Sequence, residues 1–249
     1  MVFDTYANYY DLLYKDKDYE GEVEYIDKII KKYTDKANSI LDLGCGTGKH
    51  AELLSHKGYF IHGVDASEKM LEKANLRARY NSKIQFTLSN IQDFNLKVKF
   101  DVVTALFHVM SYLNDDDSIN QSLKNIYYHL KEGGIFIFDC WYGPAVLYQR
   151  PEIRIKRLSN NNIELTRIAE PVIKENKNVV EVNYDIFIKN NKDNKIFEIN
   201  EVHSMRYFFI NEIKQFINKN NFKILDCFEF MSNSKLSKNT WGSCFVLKK

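Results

Sequence analysis

Over its first 140 residues the chain alternates short apolar runs with segments of helical periodicity. The apolar runs predict five strands, at about 39–43, 59–64, 84–88, 100–107 and 135–140. The segments between them predict helices, with Ser67 and Ser118 as N-caps and with Gly133 and Gly134 ending the last helix. Strands and helices that alternate in this way are typical of βαβ units in a parallel sheet.

After Pro151 the pattern changes to period-2 alternation. Apolar and polar residues alternate from Val180 to Ile188, and the turn-rich stretch 190–194 follows. These features predict an antiparallel β insertion over residues 151–208, which serves as a lid or as a dimer interface.

The parallel pattern then resumes with a helix and two strands, predicted at about 211–220, 223–230 and 244–247. The predicted organisation therefore has three parts. They are an N-terminal helical lid segment (1–37), a ligand-binding α/β domain (38–150 and 209–249) and the insertion (151–208).

A glycine-rich loop joins the first strand to the next helix. Its sequence is Gly44-Cys45-Gly46-Thr47-Gly48, and Asp42 lies two positions before it. Glycines permit a sharp turn and let a ligand lie against the backbone N–H groups at the helix start. Asp65 ends the second strand, where an acidic side chain can accept both hydroxyls of a ribose. Together these features predict a nucleotide site at one edge of the sheet.

Glycine loops of this kind occur in more than one class of protein. One alternative is an NAD(P)-dependent oxidoreductase, although its dinucleotide fingerprint GxGxxG requires a third glycine where Lys49 stands. Another alternative is a non-catalytic protein that has kept the cofactor-binding fold.

An acidic residue before GxGxG resembles motif I of the class I S-adenosylmethionine-dependent methyltransferases. The segments after the predicted third strand, along the fourth strand and before the fifth resemble that family in the same order, so the resemblance covers about residues 38–140. It implies a Rossmann-like, seven-stranded, mostly parallel sheet that carries the antiparallel insertion, with S-adenosyl-L-methionine as cofactor. The implied cofactor-binding residues are Tyr14, Asp42, Gly44, Cys45, Gly46, Gly48, Asp65, Ala66, Met70, Asn90, Ile91 and Leu106.

Methyl transfer requires an acceptor atom with a free lone pair, so an amine or hydroxyl acceptor benefits from a nearby base. His108, after the fourth strand, is the first candidate. Three roles are open for His108: a general base, a group that orients the acceptor, or a histidine packed under the loop. Tyr14, Tyr112 and His203 complete the catalytic candidates. Aromatic walls for the methyl group are predicted just beyond the fifth strand, at Trp141 and Tyr142, beside Asp139.

The N-terminus is dense in tyrosine, at Tyr6, Tyr9, Tyr10 and Tyr14. With Lys17-Asp18-Tyr19 this segment resembles the nucleotide-linked amino-sugar N-methyltransferases, in which it folds over the active site. The resemblance favours a sugar or surface-polysaccharide precursor as acceptor. Those enzymes place an arginine before the last strand to bind the diphosphate, and Trp241 stands there in this chain. Arg206 and Lys238 are the candidate replacements. Glycine-type, other small-amine and O-methyltransferases stay open.

The composition of the chain limits the classes of molecule that it is expected to bind. The 249 residues carry 35 Lys and Arg against 33 Asp and Glu, a net charge of +2, which lacks the basic excess of nucleic-acid binders. The four cysteines, Cys45, Cys140, Cys227 and Cys244, have no metal-ligand spacing, so no metal is expected. Without a signal-like start or a long apolar run, the chain is expected in the cytoplasm and not in a membrane. Its predicted partners are a small-molecule methyl acceptor and a second copy in a homodimer.

Overall fold

The computed structural model describes residues 7–249, apart from the side chain of Asn8. Its central sheet has seven strands in the order β3-β2-β1-β4-β5-β11-β10. The pairs β5–β11 and β11–β10 are antiparallel, and the other neighbouring pairs are parallel. The predicted Rossmann-like, mostly parallel sheet is confirmed. The strands are β1 (Ser39–Leu43), β2 (Phe60–Asp65), β3 (Ile84–Leu88), β4 (Phe100–Ala105), β5 (Leu130–Tyr142), β10 (Lys223–Glu229) and β11 (Gly242–Lys248).

Helices cover both faces of this sheet, so alternate residues of a strand are buried in two different hydrophobic cores. Leu41 and Val103 pack with α5 and α7, whereas Ile40 and Val102 pack with α2 and α3. Burying both faces explains the continuous apolar runs in the sequence. The helices are α1 (Ala7–Leu13), α2 (Tyr19–Tyr33), α3 (Lys49–His56), α4 (Glu68–Ala78), α5 (Asp116–His129), α6 (Gly143–Gln149) and α7 (Ile210–Lys219).

The second sheet is antiparallel and forms from the region after Pro151. Its four strands are β6 (Arg154–Ser159), β7 (Ile163–Lys174), β8 (Val179–Asn190) and β9 (Ile196–Phe208), each paired with the next. The end of β9 also pairs with the end of β5 through Trp141 and Tyr142. This junction sets the insertion sheet beside the carboxyl ends of the parallel strands.

Two details of the predicted helix before β5 are wrong. Asp115, not Ser118, is its N-cap, since the Asp115 side chain accepts a hydrogen bond from the Ser118 backbone N–H at 2.8 Å. The helix ends at His129, and the chain is already extended at Leu130. Gly133 and Gly134 therefore lie inside β5, where the pairing with β4 shifts register.

Candidate active site

A cavity of about 750 Å³ opens at the carboxyl ends of the parallel strands. This is where ligands bind in open α/β sheets, and the volume lies within the usual range for ligand sites of ~300–1,000 Å³. Its floor is formed by the loops after β1, β2, β3 and β4, and its far wall by the inner face of the insertion sheet. Tyr10, Tyr14 and Tyr19 close a third side.

The glycine loop turns back sharply under the cavity. Gly44 has a φ of +65°, and a Cβ there would lie 2.4 Å from a methyl carbon of Val109. Gly48 has a φ of +75°, and a Cβ there would press on Phe86 and Ala74 at 3.0–3.1 Å. Side chains at these positions would strain the backbone and push the neighbouring segments apart. Glycine therefore lets the loop pack under the loop that follows β4 and against α4.

Asp65 closes the loop from the end of β2. Its Oδ2 accepts the Gly46 backbone N–H at 2.8 Å, and its Oδ1 accepts the Ser67 N–H at 2.9 Å. Burial raises the pKa of this carboxyl, and the hydrogen bonds from Ser67 and Gly46 partly offset the increase. Asp65 lines the cavity, and each carboxylate oxygen keeps acceptor capacity for a ribose hydroxyl.

Asp42 lies beneath the loop and does not line the cavity. Its Oδ1 accepts a hydrogen bond from the Thr104 hydroxyl at 2.9 Å. Its buried Oδ2 has no hydrogen-bond partner among the described residues. Burial raises the pKa of Asp42 to about 6, with the negative charge of Asp65 adding to the effect. An unpaired, buried carboxylate oxygen beside a ligand loop fits a cationic group of a bound molecule, such as the ammonium of a methionine moiety.

Most of the other residues predicted to bind the cofactor do line the cavity. They are Tyr14, Gly44, Cys45, Gly46, Ala66, Met70, Asn90, Ile91 and Leu106. Gly48 does not, because it packs against α4. The fit to a nucleoside cofactor is therefore good, while the role of each residue stays a prediction. Four further residues line the cavity in the same loops but were not predicted to bind the cofactor: Thr47, Ser67, Ser89 and Gln92. Ser67 was predicted only as a helix N-cap.

His108 lines the cavity above a buried aspartate. Its Nδ1 lies 2.6 Å from Oδ2 of Asp139, which also accepts the His108 backbone N–H. Burial alone would raise the pKa of Asp139, but His108 and two backbone N–H groups lower it, so the carboxyl stays ionised. Phe107 and His108 both have left-handed backbones, with φ of +67° and +63°. This conformation is costly for non-glycine residues and persists only where the surrounding structure holds it in place.

A second chain of hydrogen-bonding side chains runs from the loop after β4 to the insertion sheet. The Tyr112 hydroxyl lies 2.8 Å from Nδ1 of His203, and Nε2 of His203 lies 3.0 Å from Glu201. Burial raises the pKa of Tyr112 well above its usual range, so it remains a neutral phenol. Tyr112 lines the cavity, whereas His203 is buried behind it. The structure thus brings two of the predicted catalytic residues together and adds Glu201.

The N-terminal helix packs on the insertion sheet beside the cavity. Leu13 is fully buried among Leu165, Ile186 and Ile188. Asp11 ties the helix to the glycine loop through the Thr47 hydroxyl, at 2.8 Å. The ring of Tyr14 meets that of Phe107 edge-on at 5.1 Å, next to His108. Tyr6, the first tyrosine of the predicted segment, lies outside the described residues.

The cations expected to replace the missing arginine lie elsewhere. Arg206 is buried in ion pairs with Asp116 and Glu212, and Lys238 stacks on the exposed Tyr148. Neither lines the cavity, and Trp241 does. Arg154 and Arg167, which the sequence did not single out, line it from the insertion sheet.

Within residues 7–249 no group of three or more His, Cys, Asp or Glu side chains could hold a metal ion. The four cysteines are free thiols. Over the same residues, no helix is long and apolar enough to cross a membrane.

Comparison with known proteins gives consistent matches. A family model described as "Methyltransferase domain" matches residues 40–134. A putative methyltransferase of Geobacillus sp. (strain WCH70) is 28% identical over 252 residues, covering 100% of both chains. The dTDP-3-amino-3,4,6-trideoxy-alpha-D-glucopyranose N,N-dimethyltransferase of Streptomyces venezuelae is 31% identical over 141 residues, which are 56% of this chain and 58% of that enzyme. The crystal structure of an S-adenosylmethionine-dependent methyltransferase from Clostridium acetobutylicum ATCC 824 superposes with a TM-score of 0.83 at 26% identity, covering 96% and 95% of the two chains.

The fold, the glycine loop and the acidic end of β2 are typical of class I proteins that bind S-adenosylmethionine, and the matched residues include the loop and strands β2 to β4. The chain is therefore a methyltransferase that uses S-adenosylmethionine, with its methyltransferase domain at residues 40–134. These matches favour methyl transfer over the nicotinamide alternative. His108 and Tyr14 both line the cavity, which argues against a non-catalytic binding protein.

Proposed function

We propose that this methyltransferase transfers a methyl group to the amino nitrogen of an amino-sugar acceptor. The observation that carries the proposal is a cavity in which the cofactor loop faces two histidine-containing polar networks. The names of relatives such as the Streptomyces venezuelae dimethyltransferase suggest the amino-sugar class.

The cofactor side would be formed by the glycine loop and the ends of β2 and β3. Asp65 would accept the ribose hydroxyls, Asn90 and Ile91 would contact the adenine, and Asp42 would balance the ammonium of the methionine end. Bound S-adenosylmethionine supplies an electrophilic methyl group on a cationic sulfur. The aromatic rings of Tyr14, Phe107 and Trp141 would exclude water from this methyl.

His108 is suited to receive the proton that the acceptor nitrogen loses. Because Asp139 stays ionised, it favours the tautomer with the proton on Nδ1. That tautomer leaves the lone pair of Nε2 available as a base. The left-handed backbone of Phe107 and His108 holds the ring at the cavity wall.

Tyr112 is suited to orient the acceptor. Since it remains a neutral phenol, its O–H can donate to Nδ1 of His203, whose Nε2–H then points to Glu201. The Tyr112 oxygen would accept an N–H or O–H of the bound acceptor. This chain would fix the acceptor relative to the cofactor loop without itself becoming charged.

The test is a mass-spectrometric screen of nucleotide-linked amino sugars for a +CH₂ product. We expect a product with the native chain, and a loss of about 10²-fold or more in kcat for His108→Gln and Tyr112→Phe. Two matched controls change exposed residues away from the cavity, His56→Gln and Tyr128→Phe, and should retain activity. Full activity of His108→Gln would remove the general base from the proposal. A product only with hydroxyl acceptors would replace N-methylation by O-methylation.

We also propose that the enzyme works in the cytoplasm as a homodimer. The free thiols agree with a reducing compartment. The outer face of the insertion sheet exposes Ile155, Val172 and Val202, which a second copy of the chain could cover. Sedimentation of Val202→Lys against the native chain tests this, since a dimer through this face would dissociate and a monomer would not change.

A further inference from the structure

The inner face of the insertion sheet carries three positive side chains next to each other. The strand register places Arg154 opposite Ala169, and Lys156 opposite Arg167. Residues directly opposite each other, or two apart along a strand, share one face of a sheet. Arg154, Lys156 and Arg167 therefore lie on the same face, and it is the face that lines the cavity.

Negative charge is scarce on the strands of this face, although Glu152 lines the cavity two residues before Arg154. In the row through Arg154, the facing residues are Ala169 on β7, Tyr184 on β8 and Glu201 on β9. Glu201 lies beside His203 and belongs to the Tyr112 chain. Among the described residues, Arg154 makes no ion pair with a carboxylate.

The three cations differ in what they already contact. Lys156 donates to the backbone carbonyl of Leu13 and so helps to hold α1. Arg167 stacks on the ring of Tyr184 at 5.0 Å and approaches the Tyr14 hydroxyl at 3.5 Å. Arg154 is exposed although it lines the cavity, so it lies where the cavity opens to solvent.

Both arginines act electrostatically on the same point of the wall. Burial raises the pKa of Tyr184 to about 12, while the charges of Arg167 and Arg154 act in the opposite direction. Arg154 and Arg167 are diagonal neighbours on adjacent strands, with a typical separation of ~7–8 Å. Two guanidinium groups at this spacing can converge on one anionic group, and like charges this close are unfavourable until an anion joins them.

We infer that Arg154 and Arg167 bind a phosphate or diphosphate group of the methyl acceptor. The inference rests on the proposed function, because it places the acceptor in the cavity. Three strand spacings of ~4.8 Å separate β6 from β9, so Arg154 lies about 14 Å from the Glu201–His203 end of the wall. An acceptor with its anionic group at one end and its reacting nitrogen at the other spans this wall. The expected substrate class is thus a phosphorylated amino sugar.

The test is calorimetric titration of inorganic diphosphate into the full-length protein loaded with S-adenosylhomocysteine. We expect saturable binding that weakens about tenfold or more in Arg154→Gln and in Arg167→Gln, since each loses charge-assisted hydrogen bonds. Arg157→Gln is the matched control, because Arg157 lies on β6 but on the opposite face. It should change the affinity by no more than about twofold. Equal weakening in all three variants would overturn the site.

Two further arms separate the explanations. Arg167→Lys keeps the charge but loses the planar fork, so its affinity should fall between those of the native chain and Arg167→Gln. Malonate that binds as tightly as diphosphate would overturn the phosphate assignment in favour of a carboxylate. If the native chain fails to bind S-adenosylhomocysteine, the proposed function itself fails. If it binds S-adenosylhomocysteine but not diphosphate, only this inference fails.

Discussion

Replacing Asp42 by asparagine should make the ligand-free protein more stable at neutral pH. Asp42 is 2% exposed, and its Oδ2 has no hydrogen-bond partner among the described residues. Burial raises the pKa of this carboxyl from 3.8 to about 6, with Asp65 adding to the increase and His50 and Thr104 opposing it. The charged form of Asp42 is therefore less favourable in the folded chain than in the unfolded chain.

The sign and the magnitude follow from linkage. Because the pKa of Asp42 is higher in the folded chain than in the unfolded chain, the stability that its neutral form contributes is fully present below pH 3.8. This contribution is lost as the pH rises to about 6. At ~1.36 kcal/mol per pH unit, the loss is about 3 kcal/mol at pH 7. The asparagine side chain would keep the acceptor for Thr104 but would bury an amide that lacks one partner, at about 1 kcal/mol or more. The expected net gain for Asp42→Asn is about 1–2 kcal/mol at pH 7–8, changing to a small loss near pH 4.

Urea unfolding of the ligand-free protein between pH 4 and pH 8 measures this difference. Asp139→Asn is the control of opposite sign, because the pKa of the buried Asp139 is lowered by His108 and backbone N–H groups despite its burial. Its stabilising contribution is present above the unfolded pKa and lost as the pH falls through the folded pKa, so this variant should be less stable at pH 7. A lower stability of Asp42→Asn at pH 8, or a difference that does not change with pH, would refute the reasoning.

The same substitution should weaken cofactor binding. Saturating S-adenosylhomocysteine stabilises the native chain by mass action. Asp42→Asn should gain less from the ligand, because the ammonium of the ligand would lose its carboxylate partner. If the variant binds S-adenosylhomocysteine as tightly as the native chain, Asp42 does not serve the methionine end, although the stability argument would still stand.

Three other changes test separate parts of the site. Asp65→Ala should weaken S-adenosylhomocysteine binding by roughly 2–4 kcal/mol in calorimetry, whereas Asp101→Ala, which removes a carboxylate bonded to the backbone at the other end of the sheet, should not. His203→Gln should lower kcat while leaving the KM for S-adenosylmethionine unchanged, because Tyr112 loses its partner; a change in that KM alone would contradict this. Leu13→Ala should release α1 from the insertion sheet at a cost of ~2–5 kcal/mol and speed hydrogen exchange in residues 7–33, and unchanged exchange would count against a packed lid.

Local pattern was sufficient for the parallel core. Strands β1 and β4 and the second half of β5 are buried on both faces, so each appears as a mainly apolar run. The glycine loop has a spacing that few other structures require. The errors lie at boundaries. Ser118 is a good N-cap by residue type, but Asp115 begins the helix three residues earlier, and both types cap equally well.

The acceptor wall could not be derived in the same way. Arg154, Arg167 and Glu201 are spread over nearly fifty positions of the chain, and they share one face of the sheet only because three antiparallel pairings have one particular register. Shifting any pairing by one residue would turn a whole strand's side chains to the opposite face. Alternation in the sequence predicts that a face exists, but not which residue on the next strand it meets.

The position of positive charge connects these observations. The sugar methyltransferases that the sequence resembles place an arginine before the last strand, where this chain has Trp241. In the structure Trp241 packs edge-on against Trp141 at 6.0 Å and closes the cavity on that side with aromatic surface. Arg206 is neutralised by Asp116 and Glu212 and cannot supply the missing charge. The cavity-lining arginines are on the insertion sheet instead, so an anionic acceptor would enter with its charge toward β6 and β7. The same core could therefore keep its cofactor site unchanged while the insertion decides which end of the acceptor is held.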